Sequence, residues 1–236
     1  MTPLPVDVFA RDQGDVPFTA YSFDDVPLLD DDLVATGADL EPGTLVAAYS
    51  NGLFPMPVRR RTLGWFCPVT RGIIPIDGFH VSRSLAKSMK RFTYTVDSAF
   101  TEVMRACGDP RREHGWINDE FVEAYTRLHR MGWAHSVEVR LDGRLVGGVY
   151  GVRVRRFFAG ESMFHTETDA SKAALAVLVD LLGRAGVELF DVQWTTPHLR
   201  SLGAVDVPRA QYLTMLATAT KPAPKRPDSR QTDAHG

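Results

Sequence analysis

Between residues 134 and 194 strand-like and helix-like patterns follow one another in an order that limits the folds open to this chain. HSVEVRL and RLVGGVYGV flank Asp142-Gly143, a dipeptide typical of a tight β-hairpin turn. A third strand-like segment, FFAGESMF (157–164), precedes a helical pattern that begins near Asp169 and ends at Gly186. VELFDVQW (187–194) reads as a fourth strand. Three strands, a helix and another strand predict a mixed α/β sheet.

The patterns divide the chain into two domains and a tail. Residues 1–75 predict a small N-terminal α/β domain, whose first 27 residues are acidic, rich in turn formers and irregular. A helix is expected between Pro42 and Gly52, because proline favours the first turn of a helix and glycine its end. The Pro-rich stretch 53–75 is interpreted as an ordered loop. Residues 76–220 predict the larger domain, and 221–236 a disordered tail.

Length and composition are those of a globular protein that can bury a core. The chain has 236 residues, of which 44% are hydrophobic and 24% charged. The sequence has no apolar run long enough to span a membrane and no recognisable secretory signal. Cys67 and Cys107 lie far apart without a CxxC partner, which predicts free thiols and no structural metal site. We therefore expect a cytoplasmic protein, and a monomer, since no coiled-coil pattern is visible.

The net charge of −2 hides an uneven distribution of charge along the chain. Residues 1–45 carry ten acidic side chains against one basic, whereas residues 55–113 carry eleven basic against five acidic. A nearly neutral chain argues against a nucleic-acid partner, but a basic middle segment can bind a polyanion locally. A solvated basic face explains the same residues equally well.

Glu161 and Asp191 are carboxylates inside otherwise apolar strands, one on each side of the same helix. Residues two apart in a strand share a face, about 6.5–7 Å apart. Glu161 and Met163 should therefore point one way, and Asp191 should share a face with Gln193. A buried charge needs a partner, a hydrogen-bond donor or a shifted pKa. Either carboxylate alone could be structural, but the two together with Gln193 indicate a polar site in an apolar surrounding.

Apolar residues near these strands are candidates for a pocket wall, although core packing is the commoner role for such residues. The candidates are Trp116, Trp133, Phe158, Met163 and Phe164. The sequence contains no GxSxG motif, so a serine nucleophile is not indicated. Gly147-Gly148 indicates a bulge or a close backbone approach, since neither the GxGxxG spacing nor a following helix is present.

A series of short motifs occurs along the chain in one order. They are GADLEPGTLVAAYSNGLFPM, HVSRSL, WIND followed by AYTRLH, AHSVEV, LVGGVYGV, GESMF, ASKAAL, DVQ, HLRSLGA and VPR. Each motif alone is weak evidence, but together, in this order and spacing, they are specific. Over residues 37–213 the chain resembles the leucyl/phenylalanyl-tRNA–protein transferases. The resemblance implies a small N-terminal domain and a C-terminal domain with an acetyltransferase-like (GNAT-type) fold.

The resemblance also implies an activity and a set of site residues. Members of the family move Leu or Phe from a charged tRNA to the α-amine of proteins that begin with Arg or Lys, without a metal or cofactor. The new N-terminus marks the protein for degradation. Positions that match catalytic or acceptor-binding residues are Glu161, Asp191 and Gln193. Positions that match the amino-acid pocket are Trp116, Phe158, Met163 and Leu178, with Val149 where a larger Met can occur.

The implied reaction requires no covalent enzyme nucleophile. An α-amine has an ordinary pKa of about 7.7–8.0, so a useful fraction is already neutral in the cell. Positioning and oxyanion stabilisation can then supply most of the rate enhancement. We hypothesise that Asp191 orients Gln193, whose carbonyl accepts a hydrogen bond from the attacking amine. Glu161 would hold the positive end of the acceptor, either its amine or its Arg or Lys side chain.

The basic middle segment offers candidates for contact with tRNA phosphates. A helix capped by Ser82 would place Arg83, Lys87 and Lys90 roughly on one side, with Arg91 and Arg59–Arg61 as further candidates. A solvated helix face is the alternative for all of them.

Two departures from the family's pattern lie in the N-terminal half. Met56 stands where the family usually has a Trp that is associated with stacking on the terminal adenosine of the tRNA, and Met lacks the π face. Residues 67–71 read Cys-Pro-Val-Thr-Arg, where the family usually has Ser-Pro-Asp-Pro-Arg.

Two other classes of protein compete with this interpretation. An acetyl-CoA-dependent N-acetyltransferase fits the strand order, but such enzymes usually bind the pyrophosphate on a glycine-rich turn before a helix. Here that turn reads FHTETDASK and contains no glycine. A non-enzymatic RNA-binding protein would explain the basic residues but not the carboxylates inside apolar strands.

Overall fold

The computed structural model describes residues 4–11, 13–59, 62–111 and 116–222. The N-terminal half contains α1 (Asp7–Ala10), β1 (Leu33–Thr36), α2 (Pro42–Ser50), β2 (Phe54–Arg59), β3 (Thr62–Phe66), β4 (Thr70–Ile73), α3 (Arg83–Met89), β5 (Thr93–Val96) and α4 (Phe100–Cys107). The C-terminal half contains α5 (Asp119–Arg130), β6 (Ala134–Leu141), β7 (Arg144–Val154), β8 (Phe157–His165), α6 (Ala170–Arg184), β9 (Leu189–Gln193), α7 (Pro197–Ser201), β10 (Val205–Pro208) and α8 (Arg209–Ala219).

A seven-stranded mixed sheet, ordered β10-β4-β9-β8-β7-β6-β5, forms the larger part of the molecule. The β6–β7 hairpin turns at Asp142 and Gly143, whose φ angles of 50° and 79° are those that a two-residue hairpin turn requires. β8 and β9, which α6 connects, form the parallel pair of this sheet. The predicted mixed α/β architecture, with a small N-terminal part and a larger C-terminal sheet, is confirmed.

The parallel pairing between β8 and β9 is short. It extends from Phe157 opposite Leu189 to Ala159 opposite Asp191, and no described pair follows, although β8 continues to His165. The backbone pairing of the two strands therefore ends at Ala159 and Asp191, two residues before the end of β9. We call this point the fork.

Each face of the seven-stranded sheet carries a hydrophobic cluster. The α6 side is the face covered by α6, with Val149, Phe158, Leu178 and Phe190 in its cluster. The tyrosine side is the face covered by α2, α4, α5 and α8, with Tyr49, Tyr125, Tyr150 and Tyr212 in its cluster.

The stretch 53–75 contains β2, β3 and β4, so its interpretation as a loop is wrong. β1, β3 and β2 form a separate antiparallel sheet in that order. Pro55 and Pro57 concealed the strand, because proline has no N–H to donate to a ladder. β2 is an edge strand of the small sheet, where one side of the backbone needs no donors and proline is tolerated.

β4 (Thr70–Ile73) hydrogen-bonds with β9 and β10 in the larger sheet, although it precedes residue 75. The division of the chain into residues 1–75 and 76–220 stays a prediction. Within the described part of the first 27 residues, α1 is the only regular element. The tail prediction falls mostly on residues 223–236, which lie outside the described residues.

The first residues of the chain pack across one end of the α6 side. The ring of Phe9, which is fully buried, lies 5.1 Å from that of His135 and 6.0 Å from that of Phe158. Gln13 Nε2 donates to the carbonyl of Arg153 at 2.7 Å. Phe158, a predicted pocket residue, thus has a neighbour from the N-terminal segment.

Cys67 and Cys107 are both buried, and neither belongs to a disulfide. Among the described residues, no group of three His, Cys, Asp or Glu side chains is placed to hold a metal ion. The helices in the described ranges are all too short or too polar to cross a membrane.

Candidate functional site

A buried ion pair between Arg71 and Asp191 lies next to the fork. Nε of Arg71 donates to Oδ1 of Asp191 at 2.8 Å and Nη2 donates to Oδ2 at 2.5 Å. Arg71 Nη1 donates to the carbonyl of Gly52 at 3.0 Å. The guanidinium carbon lies 4.8 Å from the ring centre of Phe54 and 4.3 Å from that of Tyr212. The side chains are 1% and 0% exposed, so the pair is fully desolvated.

Asp191 is held by four donors. Besides the two from Arg71, its Oδ1 accepts from the backbone N–H of Gln193 at 2.8 Å and its Oδ2 accepts from the hydroxyl of Tyr212 at 3.0 Å. Burial by itself lowers the pKa of Arg71, but the Asp191 carboxylate outweighs burial and raises it, so the guanidinium stays charged. Asp191 therefore acts on Gln193 through the backbone and not through the Gln193 side chain.

Gln193 has a left-handed backbone, with φ 59°. This conformation is uncommon for residues other than glycine and is typical of functional sites, where the surrounding structure maintains it. The hydrogen bond to Asp191 supplies that support. The side-chain Nε2 donates to Oε1 of Glu161 at 3.1 Å. With the amide in this orientation, Gln193 Oε1 is left to accept a hydrogen bond.

Glu161 is the extra residue of a β-bulge in β8. Tyr150 of β7 pairs with Ser162 and Gly151 pairs with Gly160, which leaves Glu161 without a partner in β7. Since side chains alternate along a strand, one inserted residue reverses the face of every residue beyond it. The expectation that Glu161 and Met163 point the same way is therefore wrong. Glu161 contacts the tyrosine side, whereas Met163 packs on the α6 side.

Two tyrosines form a hydrogen-bonded chain that ends at Glu161. The hydroxyls of Tyr49 and Tyr125 are 2.6 Å apart, and Tyr125 donates to Glu161 Oε2 at 3.5 Å. Burial raises the pKa of Glu161 to about 8, with a further contribution from the charge of Asp191, despite the opposing tyrosine hydrogen bonds and Arg71. At neutral pH the carboxyl group therefore holds a proton in most molecules.

Tyr150 contributes a third hydroxyl on the tyrosine side. The residue is fully buried, and its hydroxyl has no hydrogen-bond partner among the described residues. Its ring packs at 6.1 Å from that of Tyr125 and 5.8 Å from that of Phe100. Burial and the charge of Glu161 raise the pKa of Tyr150 well above its ordinary value, so the hydroxyl remains protonated.

The structure brings together four of the five residues predicted for the amino-acid pocket. Val149, Phe158 and Leu178 are buried in one cluster on the α6 side, and Met163 packs against it. Trp116 lies instead on the tyrosine side, where its ring is 5.1 Å from that of Phe121. Four pocket candidates thus lie on the face of the sheet opposite Glu161. The fork lies between these apolar residues and the polar residues around Glu161.

The residues predicted to contact tRNA divide into an exposed set and a half-buried one. Ser82 caps α3, because its hydroxyl accepts from the backbone N–H of Leu85 at 3.2 Å. The exposed set comprises Arg83, Lys87 and Lys90. None of these three forms an ion pair with another residue in the described ranges. Met56 is half-buried in β2, and of Arg59–Arg61 the last two lie outside the described residues.

An aromatic cluster that sequence reasoning missed adjoins the ion pair. Trp194 follows Gln193 directly, and its ring lies 5.1 Å from that of Phe54 and 6.1 Å from that of Phe66. The indole Nε1 donates to Oδ2 of Asp32 at 2.9 Å, and the residue is 37% exposed.

Arg71 and the buried tyrosines were also missed. Arg71 could have been noticed as a lone cation in the apolar stretch TRGIIP, since such a residue needs a buried partner. Tyr49, Tyr125, Tyr150 and Tyr212 have no comparable signal, because tyrosine is common in helices and strands.

Asp191→Asn should lower the free energy of unfolding by about 3–5 kcal/mol, because it leaves the Arg71 charge buried without its counter-ion. Urea unfolding measures this change. Asp180→Asn is the matched control, since its partner Arg184 is exposed, and such surface pairs contribute about 0–1 kcal/mol. Equal effects of the two substitutions would contradict the central role of the ion pair.

Tyr150→Phe should leave the free energy of unfolding unchanged or raise it, because it removes a buried hydroxyl without a partner, a group that costs about 1–3 kcal/mol. Tyr125→Phe should lower it, since that substitution deprives Tyr49 and Glu161 of a partner. Both variants are compared by urea unfolding at pH 7. Destabilisation by Tyr150→Phe as large as that by Tyr125→Phe would refute this difference.

Comparisons of the sequence with family models and with curated proteins agree on one family. The description "Leucyl/phenylalanyl-tRNA protein transferase" belongs to the family model that matches residues 73–217, and the model of that family's N-terminal domain matches residues 38–69. A protein named leucyl/phenylalanyl-tRNA–protein transferase from Novosphingobium aromaticivorans is 50% identical, over 78% of this chain and 72% of its own length. One from Cereibacter sphaeroides is 50% identical, over 76% and 85%.

Similarity to solved structures is weaker. FemX is 12% identical with a TM-score of 0.44, over 74% of this chain and 70% of that one. A GCN5-related N-acetyltransferase from Kribbella flavida is 17% identical with a TM-score of 0.37, over 71% and 61%. These scores do not define a shared fold, whereas the sequence matches cover most of the chain. On those matches, the chain belongs to the leucyl/phenylalanyl-tRNA–protein transferase family.

Proposed function

We propose that this protein transfers Leu or Phe from aminoacyl-tRNA to the N-terminal α-amine of proteins that begin with Arg or Lys, in the cytoplasm, as a monomer and without a cofactor. The modified N-terminus would mark the protein for degradation. The observation that carries the proposal is the hydrogen bond between Gln193 and Glu161 beside the fork. It joins an amide and a carboxyl group of high pKa where an apolar cluster and a polar one meet.

In this reaction the α-amine nitrogen attacks the ester carbonyl carbon of the aminoacyl-tRNA. A C–N bond forms, the C–O bond to the ribose breaks, and the ribose oxygen leaves with the proton that the amine loses. Oε1 of Gln193 accepts a hydrogen bond from the amine and so aims the nitrogen lone pair at the carbonyl. Asp191 and Arg71 are positioning residues, because they fix the backbone of Gln193.

Glu161 holds the positive group of the acceptor, either its amine or its Arg or Lys side chain. A cation stabilises the carboxylate form, so acceptor binding and loss of the Glu161 proton are coupled. While no acceptor is bound, the Glu161 carboxyl group is largely neutral, and this lowers the free-energy cost of burying it.

The donor amino acid would place its side chain against Val149, Phe158, Met163 and Leu178. All four belong to the apolar cluster on the α6 side. The apolar side chains of Leu and Phe would bind such a wall through apolar contact. Trp116 lies on the other face and would contact a different part of the substrates.

The charge at the start of α6 argues against the alternative function, that of an acetyl-CoA-dependent N-acetyltransferase. Asp169 stands just before this helix and accepts a hydrogen bond from the Ser88 hydroxyl at 2.8 Å. This hydrogen bond lowers the pKa of Asp169, and the hydrogen bond and positive charge of Lys172 lower it further. Partial burial opposes them but is outweighed, so Asp169 is a carboxylate. A negative charge at this helix N-terminus opposes binding of a pyrophosphate there.

The direct test is a transfer assay. The protein is incubated with tRNA charged with labelled Leu or Phe and with a peptide that begins with Arg, and the label should appear in the peptide. A peptide that begins with Asp is the control acceptor, and acetyl-CoA is the control donor. Absence of labelled peptide while the charged tRNA survives would overturn the proposal.

The KM for the Arg peptide should fall about tenfold per pH unit between pH 6 and 7.5, because the Glu161 carboxylate fraction rises tenfold per unit below its pKa of about 8. The α-amine stays largely protonated over this range, since its own pKa is about 7.7–8.0. Glu161→Gln should show a higher KM that does not change with pH. A wild-type KM that is constant from pH 6 to 7.5 would contradict the role of Glu161.

Arg83→Ala combined with Lys87→Ala should reduce the salt dependence of tRNA binding. Each lost phosphate contact lowers the slope of log K against log salt by roughly one, so the double variant should lose about 1–2 units. Arg184→Ala is the control, because Arg184 is exposed at the C-terminal end of α6. Ser88 of α3 contacts Asp169 at the opposite end of that helix, about 20 Å away. An unchanged slope in the double variant would remove these residues from the interface.

A further inference from the structure

Trp194 is a partly exposed aromatic residue that directly follows Gln193, a residue of the proposed active site. It packs against Phe54, whose other neighbour is the Arg71 guanidinium. The bond from its Nε1 to Asp32 fixes one edge of the indole. A large apolar ring that remains 37% exposed at this place is available to a ligand.

The chemistry of the proposed donor places a base near this ring. In an aminoacyl-tRNA the amino acid is esterified to the terminal ribose, so the terminal adenine lies within one nucleoside of the reacting carbonyl. Gln193 contacts the attacking amine in the proposed reaction, and Trp194 is its immediate neighbour. One nucleoside is long enough to reach from the reacting carbonyl at Gln193 to the neighbouring Trp194 side chain, which packs on Phe54 and remains partly exposed.

We infer that Trp194 is the stacking platform for the terminal adenine of the tRNA. Base stacking on an aromatic ring tolerates any base and contributes substantially to binding. Met56 has no aromatic face, and it lies two residues from Phe54 on the same side of β2. Trp194 would thus supply the aromatic face that Met56 lacks. This inference rests on the proposed function.

The test uses a minimal donor, adenosine esterified with Leu at the 3′ position, which carries the base and the ester but no phosphate. Trp194→Ala and Trp194→Leu should raise its KM about five- to 150-fold, the range expected for loss of one stacked base. Trp194→Phe should retain most of the affinity, because it keeps an aromatic face and loses the bond to Asp32. Phe18→Ala removes an aromatic side chain that is 90% exposed and serves as the control.

A second donor separates stacking from a structural effect. In the Leu ester of a ribose that carries hydrogen in place of the base, Trp194→Ala should leave the KM unchanged, whereas structural damage would raise it for both donors. Equal KM increases for the two donors, or no increase for leucyl-adenosine, would overturn the inference. Failure of the wild-type chain to transfer Leu from intact tRNA would instead refute the proposed function, so the two failures are distinguishable.

Discussion

The buried ion pair between Arg71 and Asp191 is the interaction on which the site depends. Arg71 comes from β4, Asp191 from β9, Tyr212 from α8, and the carbonyl of Gly52 from the turn after α2. A desolvated pair with one partner missing is strongly unfavourable, so β4 and β9 depend on each other at this point, and α8 and the turn after α2 add hydrogen bonds to the same pair. The N-terminal part of the chain therefore contributes directly to the site, through Arg71 and the carbonyl of Gly52.

The bulge in β8 and the fork between β8 and β9 determine which site residues lie on each face of the sheet. The bulge turns Glu161 toward the tyrosines, and the fork ends the pairing of β8 and β9 beside Asp191. Apolar candidates for the donor side chain therefore lie on the α6 side, and polar groups lie on the tyrosine side. A substrate that presents an apolar side chain to one face and a reacting ester to the other fits this division.

Charge is arranged on two scales. Inside the site, Asp191 is balanced by Arg71, and Glu161 avoids an uncompensated charge by holding its proton. On the surface, α3 and the residue that follows it present three basic side chains that have no ion-pair partner in the described part of the chain. The first arrangement suits the proposed binding of a positive acceptor, and the second suits the proposed binding of a polyanion, so a net charge of −2 excludes neither partner.

The sequence by itself determined the order of strands and helix between residues 134 and 194, the turn at Asp142-Gly143, the cap at Ser82 and the grouping of Glu161 with Gln193 in one site, whereas it gave no sign of α7, β10 and α8. The predicted features depend on local patterns and on motifs that are read residue by residue. The tertiary structure alone decided the partner of Asp191, the face of Glu161 and the place of Trp194. An ion pair joins residues 120 positions apart, and a bulge arises from how neighbouring strands pair, so neither leaves a periodic trace in the sequence.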